Sequence, residues 1–447
     1  MKKSPWVVAL GMCAVTALAA RGEPAAEVQA QTPGPDTISR KDYEALKRDH
    51  DELKKEFDEF KKDRAKAAAA PAAAPANNDA EFEQIDKTFR EIKLQLKESR
   101  PGLDKFLLVG DGSVGYQSQR GTKSSFFAGI SPLVLFQPTD RLLIEVGADI
   151  NISNDATGAS STTVDLGIAN ASYIVNDNLV VGGGLFVAPF GVYHRHFDPP
   201  WINKLPDDPL VFSDGGLAPG SVVGVFASGA IPVKSMKILY DVYASNGPNV
   251  ETMDPGTAGQ LHFDNYADLN NNKAVGGRIA LQPITALEFG YSFQYGRAGA
   301  AGFRDLNVLL QSVDFQYRKE FKEIFGTIDV NGQWVWSNVG RATYDPKGTM
   351  NFGPLTFNND RNGGYILVAY RPTGVSNTII RNLEFIVRYD RMQSSQKAPS
   401  GNTEHRWELG VDYWITPSVV LKTAYEFDNL KDSAGADAFI VQLGFGL

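Results

Sequence analysis

From residue 103 to the C-terminus the chain alternates apolar and polar side chains with a period of two. In 141–152, Leu142, Ile144, Val146, Ala148, Ile150 and Ile152 share one face, opposite Arg141, Glu145, Asp149 and Asn151. In 287–295, Leu287, Phe289, Tyr291, Phe293 and Tyr295 oppose Glu288, Ser292 and Gln294. In 383–390, Leu383, Phe385, Val387 and Tyr389 oppose Glu384, Arg388 and Asp390. Segments 407–415 and 419–428 repeat the pattern, with Glu408 and Asp412, then Lys422, Glu426 and Asp428, on the polar face. Such alternation marks strands with two unlike faces. It predicts 16 strands, at 104–117, 122–136, 139–152, 161–175, 178–188, 220–231, 234–245, 273–283, 285–296, 306–318, 324–337, 362–371, 382–391, 404–415, 418–428 and 436–446.

The connections alternate in length. Even-numbered strands lead into tight turns, at Gln137-Pro138-Thr139, Asn176-Asp177, Pro232-Val233, Pro283-Ile284 and Thr416-Pro417, with 372–381 a longer exception. Odd-numbered strands lead into Gly/Asn/Asp-rich loops, 189–219, 246–272, 338–361 and 392–403. Aromatics stand near the ends of the apolar faces: Tyr295, Tyr317, Trp334, Trp336, Tyr389, Trp407 and Tyr413. A water-soluble sandwich also alternates. The aromatic ends and the one-sided short turns point instead to an all-β transmembrane antiparallel β-barrel. Sixteen strands enclose an aqueous lumen, and closure leaves no backbone edge unpaired in lipid. An even strand count puts both barrel termini on one side, the periplasmic side of such a barrel.

Upstream the period changes. Tyr43, Leu46, His50, Leu53, Phe57 and Phe60 recur at 3 and 4, as do Phe82, Ile85, Phe89, Ile92 and Leu96. These are a/d seams with charged flanks, predicting coiled-coil segments at 36–64 and 79–100. Each is too short to be stable alone in water, so partner helices are implied; packing of a single helix on the downstream domain is the other reading. His50 suits a polar register layer. Between them 65–78, with Pro71 and Pro75, is an Ala/Pro spacer. Residues 1–20 carry Lys2 and Lys3, a short apolar core and Ala17-Leu18-Ala19, the pattern of a cleaved signal peptide. Met12 before Cys13 argues against a lipid attachment there, and cleavage after Ala19 or Ala20 leaves a mature chain without cysteine.

Composition narrows the classes. No apolar run near 18 residues follows the N-terminus, which excludes a polytopic helical protein. One Cys excludes a disulfide scaffold, and a net charge of −8 argues against nucleic-acid binding.

The segment Gly182-Gly183-Gly184-Leu185-Phe186-Val187-Ala188-Pro189-Phe190-Gly191-Val192-Tyr193 runs from a strand into the long loop His194–Phe212. It resembles the phosphate-selective porin and related coiled-coil-bearing trimeric porin families of Gram-negative outer membranes, over roughly 103–447. That resemblance implies a trimer with the long loop after the fifth strand folded into each pore. The closing strand, Phe439, Val441, Leu443, Phe445 and Leu447 on one face, resembles the signal read by outer-membrane assembly machinery. Most such porins end in Phe; this chain ends in Leu.

Loop 189–219 is the expected constriction, with His194, Arg195, His196, Asp198, Lys204, Asp207 and Asp208. Packing of the loop over the barrel mouth is the alternative. Lumen-facing strand positions carry seven cations: Arg141, Lys237, Arg278, Arg318, Arg388, Arg406 and Lys422. They carry thirteen carboxylates: Glu145, Asp149, Asp165, Asp241, Glu288, Asp314, Asp329, Glu384, Asp390, Glu408, Asp412, Glu426 and Asp428. A phosphate pathway needs a ladder of Arg and Lys. The acidic excess favours passive, mildly cation-preferring diffusion of small hydrophilic solutes, with no cofactor. Pairs such as Glu384 and Arg388 also serve simply to neutralise each other. Phosphate or oxyanion selectivity, and a tether from outer membrane to cell wall through the coiled coil, remain alternatives.

Sharper motifs are weak. His194 and His196 would share one face of an extended chain, as in a metal site without a third ligand. Asp264, Asp268, Asn270 and Asn272 suggest surface calcium, with Lys273 where a compact loop wants Gly. Gly182–Gly184 is no dinucleotide fingerprint, since no helix follows; it leaves room for the loop. No serine motif surrounds any of the five His, which argues against a barrel enzyme.

Overall fold

The computed structural model describes residues 105–447, apart from 155–159, 214, 253–256, 264–265, 267–270, 300–301, 304, 346–347, 349–352, 396–397, 399–400 and 431–434. The expected signal peptide, both coiled-coil segments and the spacer lie outside the described residues, as do Asp264, Asp268 and Asn270.

The described strands follow the alternation closely. They are β1 Phe106–Gln119, β2 Ser125–Thr139, β3 Leu142–Asn154, β4 Ser160–Asn176, β5 Leu179–Val187, β6 Ser221–Val233 and β7 Met236–Ser245. A two-residue ribbon, β8 Asn249–Val250 and β9 Leu261–His262, interrupts the next connection. Then come β10 Ala274–Ile284, β11 Leu287–Ala298, β12 Leu306–Phe321, β13 Gly326–Tyr344 and β14 Leu355–Arg371. The series ends with β15 Leu383–Gln393, β16 Thr403–Thr416, β17 Val419–Leu430 and β18 Ala438–Gly446. All except β8 and β9 form one closed antiparallel barrel of sixteen strands, with β1 paired to β18. No backbone edge is left open, as lipid requires.

Two strands outrun their expected ends. β13 continues to Tyr344 and β14 begins at Leu355, where 337 and 362 were expected. A reading from alternation stops too early here, because protein contacts sustain the pairing beyond the alternating stretch. Tyr344 stacks on Phe357 at 4.5 Å, and the Asn359 side chain donates to the Gly259 carbonyl. The exceptional connection 372–382 holds a one-turn helix, α2 Thr378–Arg381, whose Asn377 cap accepts from the amides of Ile379 and Ile380. A helix of the same length, α1 Tyr193–His196, lies earlier, in the loop after β5.

The outward faces form an apolar belt. Val225, Val242, Ile279, Phe289, Tyr295, Trp407, Leu409 and Phe427 are all exposed there. A belt of this extent would be untenable in water and suits a barrel seated in lipid. The buried apolar core lies inside the barrel. Phe190, Tyr193, Leu205, Val211 and Phe212 of the β5–β6 connection pack against Leu310, Val335, Tyr365 and Ile386.

Candidate pore and its inward loop

The connection between β5 and β6 enters the lumen because its backbone finds partners on the inner wall. At its start the Gly191 N–H donates to Ser292 Oγ at 2.9 Å. The Val192 and Tyr193 amides both donate to Gln333 Oε1, at 3.0 and 3.3 Å. Gly191 has φ +75°, and a Cβ there would fall on the Gln333 side chain, so only glycine makes this entry. Further on, Lys422 Nζ donates to the carbonyl of Asn203 at 2.6 Å, and Leu205 lies over Gly410, where a Cβ would approach it to 2.5 Å.

The loop's charged residues are mostly anchors. Lys204 Nζ donates to Glu384 Oε1 at 2.8 Å, and Arg195 to Asp241 Oδ2 at 2.8 Å. Asp207 Oδ2 accepts from Arg388 Nη2 and Arg406 Nη1, each at 2.8 Å. Tyr193 OH donates to Asp208 Oδ1 at 2.7 Å, while Asn203 donates to Tyr193. Burial pushes the Asp207 carboxyl up, but Arg388 and then Arg406 outweigh it and hold it down at about 2. Burial and nearby Asp198 push Asp208 up to about 6.

The wall residues expected to line the channel turn out to be largely covered. Arg388 and Lys422 are 0% exposed, and Arg278, Glu288, Asp314, Asp329, Glu384, Asp412 and Glu426 are buried. Their face is the inner one, as the alternation implied, but the loop covers it. Arg278 pairs with Glu288 at 2.8 Å and with Asp314, and Arg388 pairs with Asp390 at 2.8 Å. Arg318 stays exposed. Arg141 stands in the turn between β2 and β3, exposed, and is not a strand residue. Gly182–Gly184 makes no room for the loop. A Cβ at Gly182 would meet the Phe226 ring, and one at Gly184 (φ +129°) the Ala169 carbonyl, so these glycines serve strand-to-strand contact.

The opposite arc is left open. Inward positions of β1–β4 are mostly not buried, and strands β1–β6 contain no Lys or Arg. Asp111, Glu145, Asp149 and Asp165 stand on it. Asp111 lies close enough to Asp149, and to Asp198 on the loop, for their charges to act on one another. Asp198 is half exposed and 3.4 Å from His194. Asp111 was missed from sequence because β1 reads Phe-Leu-Leu-Val-Gly-Asp, where alternation is poor. Ser292 and Gln333 were missed as anchors because an uncharged polar residue on an inner face carries no signal of its own.

One metal reading changes, and one carboxylate cluster is new. His194 and His196 sit in α1 and not on an extended chain, so their rings diverge. Burial, then Arg195, lowers the pKa of His196. The oxygens of Asp207, Glu408 and Glu426 come within 4.8 Å of one another. Arg388 at 2.8 Å from Glu408 and Arg406 at 3.6 Å from Glu426 already occupy that cluster as counter-charges.

This architecture is the fold of the outer-membrane porins. The barrel is similar to OmpF of Salmonella typhi, solved in complex with daunomycin, with a TM-score of 0.50 and 10% identity over 76% of this chain and 97% of that one. A porin refined at 1.8 Å resolution matches with a TM-score of 0.44 and 10% identity, over 76% of this chain and 100% of its own. OccK1 (OpdK) of Pseudomonas aeruginosa matches with a TM-score of 0.39 and 11% identity, over 77% and 99%. No family model matches the chain, and no curated protein does.

Proposed function

We propose that the chain is an outer-membrane porin, a water-filled channel for passive diffusion of small hydrophilic solutes and ions. The carrying observation is the division of the lumen. One arc is covered by the β5–β6 loop, and the other is open, acidic and without a basic strand residue. The loop, 188–220, narrows the path, and Asp111, Asp149 and Asp198 form its acidic edge. Fixed carboxylates beside a water path favour cations modestly. Burial of Arg278 and Arg388 in ion pairs removes two of the cations that a phosphate ladder would need, which supports general diffusion over oxyanion selectivity.

In this reading the short-turn end faces the periplasm, where residues 36–100 form the coiled coil of a homotrimer. The lipid bilayer of the outer membrane is the barrel's solvent, and β18 is the strand presented to the assembly machinery. The test is a planar-bilayer recording of the purified protein in a KCl gradient. Steps in multiples of three with a weakly cation-selective reversal potential are expected. Strong anion preference with block by phosphate would overturn the assignment. No conductance would move the role to the tether.

A further inference from the structure

We propose that the short-turn end of the lumen is a binding vestibule for a small organic anion, a carboxylate on a flat apolar body. The proposal rests on the channel reading for its biological sense, but its geometry stands apart from it. A cavity of about 570 Å³ opens there, lined by Phe197, Trp201 and Ile202 of the loop and by Arg318, Arg371 and Trp414 of the wall. That is the size of a small-molecule pocket, and its walls set aromatic and apolar side chains beside Lys204, Arg318, Asp329, Arg371, Asn382 and Thr416.

Its lining carries three cations, Lys204, Arg318 and Arg371, against one carboxylate, Asp329. Lys204, at the edge, is satisfied by Glu384 at 2.8 Å and Asp329 at 3.9 Å. Asp329 is the residue directly across from Arg318, but its ion pair is with Lys204. Among the described residues, neither the Arg318 nor the Arg371 guanidinium has a carboxylate within ion-pair distance. Glu384, and then Arg318 and Arg381, are near enough to Arg371 for their charges to act on it. Elsewhere in this lumen Arg278 is matched by two carboxylates and Arg388 by three, while buried Arg361 donates to the Asn359 side chain. Two unmatched guanidiniums suit a planar carboxylate, which accepts paired N–H donors.

The floor is prepared for the rest of the ligand. The Trp414 Nε1–H donates to Glu384 Oε2 at 2.8 Å, which fixes the indole. The Arg371 guanidinium lies 5.0 Å from its ring centroid and is held further by donation to the Arg381 carbonyl at 3.3 Å. A held guanidinium loses less freedom on binding.

The test uses the purified full chain in detergent, with sodium benzoate as probe and tryptophan fluorescence as readout. Benzoate is expected to quench saturably, with W414F and W201F each removing part of the signal. R318Q/R371Q is expected to bind about ten-fold or more weakly. Heat-modifiable mobility checks that it folds, and R371K, which keeps charge but loses the fork, is expected to fall between. Unsaturable quenching, unchanged binding in the double variant, or equal binding of neutral benzamide would overturn the proposal. So would inorganic phosphate binding as tightly as benzoate, since the apolar walls would then contribute nothing. Saturable reduction of channel current by benzoate in the wild type but not in R318Q/R371Q would support it. A barrel that binds benzoate yet conducts nothing sinks the channel reading alone; one that conducts but does not bind benzoate sinks the vestibule alone.

Discussion

Asp207 Oδ2 stands 2.8 Å from Nη2 of Arg388, a residue 181 positions later in the chain. Arg388 also donates to the Asp207 carbonyl at 2.9 Å. One aspartate therefore ties both backbone and side chain of the lumen loop to β15, and it shares Arg406 on β16 at 2.8 Å. Removing one partner of a buried pair strands the other, at about 3–5 kcal/mol. Asp207→Asn keeps the shape and removes the charge. The expected outcome in single-channel recording is larger, flickering conductance from a barrel that still folds. An unchanged trace would mean that the loop does not limit the flow.

A second clamp is steric. At Gly410 a Cβ would approach Leu205 to 2.5 Å, and Ile386 lies at 3.7 Å. Gly410→Val pushes the loop off the wall without touching any charge. Overpacking of this kind typically costs about 1–3 kcal/mol. Its conductance should rise as in Asp207→Asn, and Leu205→Ala added to it should restore the original value.

On the proposed reading the open arc sets ion preference. Asp111→Asn and Asp149→Asn, singly and together, should move the reversal potential stepwise toward zero selectivity. Glu288→Gln, buried against Arg278, should move it far less. Equal shifts from the buried and the open sites would show that the covered arc also carries ions.

Asp208 gives a pH signature. Its carboxyl lies at about 6 in the folded loop, raised first by burial and then by Asp198. The ordinary carboxylate value is about 4. The folded form thus holds a proton that the unfolded chain releases, so stability is greatest below that value and declines as pH rises to about 6. Asp207, held at about 2, works in the opposite sense and loses its contribution only in strong acid. The melting temperature of the barrel should fall between pH 4 and pH 6, and Asp208→Asn should flatten that fall.

Most of the strand plan was legible. From Leu142 to Ile152, or from Leu409 to Phe427, each outward residue meets lipid and each inward one does not, and that difference is written at every second position. From Asn338 to Tyr344 the outward side carries the exposed Asn338, Gly340 and Arg341 in place of apolar residues, so the contrast fades and the expected strand stopped short. The Gly182–Gly184 run was misread because a missing side chain does not say which neighbour needs the space. His194 and His196 were misread because a one-turn helix of four residues has no period to detect.

The sequence by itself determined the barrel: sixteen strands, the face each residue presents, the end that carries long loops and the excess of acid inside. These follow from local alternation, which lipid on one side and water on the other enforce residue by residue. Only the tertiary structure decided which inward charges meet water. Asp149 and Arg388 occupy equivalent faces of their strands, yet one borders the open arc and the other is sealed beneath Asp207. That choice depends on where a loop from residue 188 to 220 lands across the lumen. The landing is set by contacts to Ser292, Gln333, Arg388 and Lys422, 101 to 219 positions away, which no local pattern encodes.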